Sequence, residues 1–154
     1  MELNAIAWLV LRMVFVWLYL YALKGLLMDW QSAQNLVKII TPHYTQFLAV
    51  LMILVMAVGA IMILFGIYAQ IAGLLLLIYN LIGAKVHYTL AKTIQVSELY
   101  SPISDTDNNT LNEIKTLGAI GHITSAQKNF VLAALAFFFL IVGTGPFSLT
   151  SNLW

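Results

Sequence analysis

The chain has no cysteine in its 154 residues. This excludes a disulfide, a thiolate-held zinc or iron–sulfur cluster, and thiol exchange by the protein itself. Charge is nearly as scarce: 8% of residues are Asp, Glu, Lys or Arg, against about 25% in ordinary soluble domains. The formal balance is only +1, and no cluster of Lys or Arg exists to neutralise a run of phosphates, so a nucleic-acid partner is excluded. What is abundant is apolar, at 62% of the chain. Four apolar segments of about 20 residues take up most of the length and leave no room for a separate soluble domain. The expected fold class is therefore all-α: an integral membrane four-helix bundle, one transmembrane domain over residues 1–154, with the lipid bilayer as its solvent.

The stretch from Phe47 to Ile82 contains no charged side chain and is about twice as long as one hydrocarbon crossing requires. It must fold back on itself. Gly66, Tyr68, Gln70 and Gly73 mark the reversal, glycine supplying the positive φ of a tight turn. The spacing predicts helices over 5–27, 44–65, 71–90 and 128–142, with a tight hairpin between the second and third. The first apolar segment is too long for a secretory signal and is read as a retained helix. The connection 91–127 is polar and turn-rich around Ser101-Pro102. Thr110 with Glu113 makes a capping box, and Leu111, Ile114, Leu117 and Ile120 at helical spacing predict a short interfacial helix over 111–120. Gly143-Thr144-Gly145-Pro146 stops the last helix and turns the chain back along the interface, with Trp154 as an anchor.

In the first helix, Trp8, Arg12, Phe15 and Tyr19 share one face, and Trp17, Tyr21 and Lys24 another. The stems of Arg12 and Lys24 are long enough to carry each charge toward the nearer interface. Asn80, near the middle of the third helix, needs a partner for its amide, either another helix or a ligand. Lys85 and His87 follow it on the same helix. Arg12, Trp17, Tyr21, Lys24, Asn80, Lys85 and His87 are thus the candidate ligand-binding residues. No catalytic or metal-ligating set stands out. Met52, Met56 and Met62 read as core filler. Lys38, Lys92, Lys115 and Lys128 lie in or beside the first and third connections, with Lys24 and Lys85 leaning that way. By the positive-inside rule both termini are expected outside, and connections 28–44 and 91–127 in the cytoplasm; in a bacterial inner membrane that outer side is the periplasm.

Three places resemble one family, the DoxX family of small four-helix membrane proteins of the DoxX/DoxD type. They are Leu11-Arg12 with Lys24 twelve residues later, the run Gly59 to Gln70 through the hairpin, and Gly143-Thr144-Gly145-Pro146-Phe147-Ser148-Leu149 near the end. Two departures stand out: Met56 takes the place of an embedded glutamate, and Thr150 that of a closing aspartate. The resemblance implies a multi-pass protein of the bacterial inner membrane, associated with respiratory or redox complexes.

With no embedded acid, no paired histidines at haem spacing and no phosphate-binding glycine loop, the first expectation is a non-catalytic subunit or assembly factor. It would serve an oxidoreductase, with the third connection as its docking surface. The alternative is an intramembrane site for quinone or another hydrophobic small molecule, lined by Trp17, Tyr21 and Lys24 or by Asn80, Lys85 and His87. A small transporter ranks third, since four helices would have to form a homo-oligomer to enclose a path.

Overall fold

The computed structural model describes residues 3–97 and 105–150, with the backbone alone over 105–107. Five helices follow in order: α1 (Leu3–Met28), α2 (Trp30–Lys38), α3 (Thr45–Phe65), α4 (Ala69–Val96) and α5 (Asp105–Val142). α1, α3, α4 and α5 are long and apolar enough to cross a membrane. The short α2 is capped by Asp29, whose carboxylate accepts from the Ser32 amide at 3.0 Å and the Ser32 hydroxyl at 2.6 Å. These bonds hold the Asp29 carboxyl below its ordinary range. The cap is therefore complete above that range and is lost as pH falls through the lowered value.

The bundle is apolar outside and keeps polar groups inside. Phe47, Leu54, Ile61, Leu74 and Ile78 are exposed on its surface, while Arg12, Gln70, Asn80, Asn129 and Thr144 are buried. That is the arrangement lipid selects, and a soluble monomer does not present so much apolar surface.

The reversal between α3 and α4 takes three residues. α3 ends in a Schellman motif: Gly66 at φ 63° donates to the Ile63 carbonyl at 3.3 Å and Ile67 to the Met62 carbonyl at 2.9 Å. Contacts then step symmetrically back from the turn, Gly59 against Leu76 and Met56 against Tyr79. Gln70 and Gly73 do not take part in the turn. Both are already helical and buried in α4, and Gly73 serves close packing. A Cβ there would lie 2.6 Å from the Leu140 nitrogen and 2.7 Å from the Ala136 carbonyl of α5.

The largest difference from the sequence reading is in 91–127. α4 runs on to Val96, and α5 is helical from Asp105 without a break, so residues 111–120 form no separate element and Thr110 lies inside a helix. The cause is small residues on the facing sides. Ala84, Ala91, Ala119 and Ala126 are buried between the two helices, and Gly118 lies against Ile94. α5 is 38 residues long and α3 only 21. At about 1.5 Å per residue this makes roughly 57 Å against 32 Å. The α4–α5 pair therefore continues beyond α3 as a two-helix arm. The turn at Ser101-Pro102 and the Trp154 anchor lie outside the described residues.

Candidate functional site

One stripe of α1 faces the core: Ala5, Arg12, Phe15, Val16 and Tyr19 are buried. Trp8 joins it, stacked on Phe138 of α5 with ring centroids 5.1 Å apart. Phe15 meets Phe139 edge-on at 5.1 Å. These rings pull α1 onto the C-terminal end of α5 and set Arg12, 1% exposed, beneath the loop that follows.

That loop reverses through Gly143 at φ 75°, Gly145 at φ 72° and Phe147 at φ 67°. The Trp8 ring requires glycine at 145, since a Cβ there would sit 2.5 Å from it. The reversal turns the loop's carbonyls inward onto the guanidinium. Arg12 Nε donates to the Thr144 carbonyl at 2.7 Å, Nη1 to Phe147 at 3.4 Å, and Nη2 to Gly145 at 3.3 Å. Nη2 also donates to the Pro146 carbonyl and, at 3.5 Å, to Ser148 Oγ. Thr144 and Ser148 join their hydroxyls at 2.8 Å and complete the cage. All these partners are neutral. The charge is balanced by carbonyl dipoles at the end of α5, where a helix is favourable to cations.

The same segment closes onto the α3–α4 turn. The Leu149 amide donates to the Phe65 carbonyl and the Thr150 amide to the Gly66 carbonyl, each at 3.1 Å. Thr150 Oγ1 accepts from the Tyr68 amide at 2.8 Å and donates to the Gly66 carbonyl at 3.1 Å. Tyr68 stands at φ 43° without a side-chain cap of its own. Thr150 thus caps α4 from 82 residues away.

Deeper in the bundle Asn80, 0% exposed, donates through Nδ2 to the Leu76 carbonyl at 2.6 Å and to the Tyr19 hydroxyl at 2.5 Å. Its Oδ1 has no partner. Met56 is buried beside this group and its sulfur accepts from the Tyr79 hydroxyl at 3.3 Å. One turn away α3 and α4 pack closely: a Cβ on Gly59 would stand 2.8 Å from Leu76. The Asn80 carbonyl oxygen is left able to accept from one further donor.

The other predicted residues are dispersed. Trp17 is 65% and Tyr21 75% exposed, and Lys24 and Lys85 are also on the outer surface. His87 is half-buried against His122 of α5, with Nδ1 atoms 3.0 Å apart. The sequence reading did not single out His122; it marked the segment from Gly143 to Thr150 as a closing motif but did not expect Thr144, Ser148 and Thr150 to join Arg12 and the α3–α4 turn.

Fold and interior together define a multi-pass helical membrane protein in which the one charge buried among the described residues secures a closing loop. The DoxX family model matches residues 7–88, more than half of the chain, and the chain belongs to that family. No curated protein and no solved structure matches it.

Replacing Arg12 by Met keeps the stem and removes every donor. We expect a loss of about 2–3 kcal/mol, read as a lower Tm in detergent. Arg12→Lys should recover less than half of it, because one ammonium cannot span the cage. A wild-type Tm for Arg12→Met would contradict this role.

Proposed function

We propose that this chain is a non-catalytic membrane subunit that docks a redox partner on its α4–α5 arm. The observation that carries the reading is the arm itself. It projects past the end of α3 with Ile114, Leu117 and Ile120 exposed at 61%, 69% and 52%. Lys115 and Glu113 border them, and a shallow groove lined by Gln95, Asn112, Lys115, Thr116, Ala119 and Ile120 runs alongside. Apolar side chains beyond the hydrocarbon need a protein to cover them, and a polar rim around them suits a docking patch. The interior supports the same reading: Arg12 and Thr144 hold the closing loop, and Asn80 joins α4 to Tyr19 of α1. The redox nature of the partner comes from the family resemblance. A quinone bound between the helices has no support from the packing around Asn80.

All six lysines lie toward the end of the bundle that carries α2 and the arm, while Arg12 lies at the other end with the loop and the α3–α4 turn. We take the lysine end as cytoplasmic in a bacterial inner membrane, with both termini periplasmic.

Two measurements test the proposal. Purified in mild detergent from its native membranes, the chain should carry a stoichiometric subunit with flavin, haem or iron–sulfur absorbance. The double variant Ile114→Glu/Leu117→Glu should reach the membrane yet lose that subunit at least tenfold, since each buried side chain contributes about 1.5–3 kcal/mol. Recovery of the chain alone, or retention by the variant, would overturn it. Because the protein has no cysteine, Glu113→Cys offers one thiol on the arm. A membrane-impermeant maleimide should label it only after the cells are permeabilised, and labelling of intact spheroplasts would reverse the orientation.

A further inference from the structure

We infer that His87 of α4 and His122 of α5 form a two-histidine binding site for a late first-row divalent metal ion at the base of the arm. The sequence separates these residues by 35 positions, and antiparallel pairing of the two helices brings them face to face. Their Nδ1 atoms lie 3.0 Å apart and the rings are inclined at 32°, with centroids 5.3 Å apart. Two imidazole nitrogens at about 2.0–2.1 Å from one ion are about 2.9 Å apart at a right angle and about 3.4 Å apart at the tetrahedral angle. The observed separation falls in that range, and the rings meet head-on as in a hydrogen bond, so an ion enters when each ring turns by about 40° to bring both lone pairs onto it.

Both nitrogens serve as ligands when each ring carries its proton on Nε2. Without a metal, one Nδ1 must donate to the other, and the two rings hold different tautomers. Both rings are half-buried. The site is therefore covered on its protein side, and the remaining coordination positions fall to donors from outside the chain.

The surroundings limit which ion fits. Among the described residues no group of three or more His, Cys, Asp or Glu comes together. Magnesium and calcium, which need oxygen donors, have nothing to bind. The Lys128 ammonium acts on His87 and adds positive charge. Only ions that bond imidazole strongly overcome that charge, in the order Cu(II) above Zn(II) and Ni(II). A bound ion would fasten α4 to α5 where the arm leaves the bundle. This inference does not depend on the docking proposal.

The test uses the full chain in detergent, without a polyhistidine tag, titrated with Cu(II). We expect one saturable ion per chain, with two imidazole nitrogens in the electron paramagnetic resonance spectrum and a raised Tm. His87→Ala and His122→Ala should each weaken binding at least tenfold. His43→Ala, at the only other histidine, should leave it unchanged. Lys128→Gln should tighten it several-fold, which loss of folding cannot mimic. Binding that survives in the His87→Ala/His122→Ala double variant, or that disappears with His43→Ala, would overturn the inference. So would a well-folded wild-type chain with no saturable Cu(II) site.

Discussion

A cation and a set of open carbonyls satisfy each other at one end of this bundle, and the rest of the architecture depends on that exchange. In hydrocarbon an unpaired guanidinium and an irregular loop are each costly. Arg12 stands where its five N–H groups reach the loop after α5, and the loop reverses through three positive-φ residues to face them. Once the loop is held, Leu149 and Thr150 reach the α3–α4 turn. Three separate parts of the chain are thereby closed by one side chain and one short segment. Thr150 caps the turn through its hydroxyl, and the Met56 sulfur receives a Tyr79 hydroxyl without adding charge to the core.

Much of this was legible in the residues. Charge depletion and the run from Phe47 to Ile82 point to a helical membrane hairpin, and the face shared by Trp8, Arg12, Phe15 and Tyr19 is the face that packs inward. Two things were not legible. Polarity between 91 and 127 suggested a connection, but helices continue through polar sequence when small residues such as Ala84, Ala91, Ala119 and Ala126 let them approach. Composition measures solvent preference, not helix ends. The partners of Arg12, the Ser148 hydroxyl apart, are backbone carbonyls, which have no residue type to recognise. For the same reason Lys24, similar in sequence context, lies on the outer surface, where no loop folds over it.

The interior and the arm divide the work. Around Asn80 and Tyr19 a buried amide and hydroxyl join α4 to α1, with the Asn80 carbonyl oxygen still open to a donor. The arm carries the surface features that have no counterpart in lipid: exposed apolar side chains beside charge, and a histidine pair between two helices.

Hydrogen exchange of the wild-type chain in lipid tests the central claim most directly. The account predicts that the Leu149 and Thr150 amides, bonded to the Phe65 and Gly66 carbonyls, exchange as slowly as the Gly66 and Ile67 amides of the turn they close. Exchange of Leu149 and Thr150 at the rate of a free tail, beside a protected turn, would contradict it.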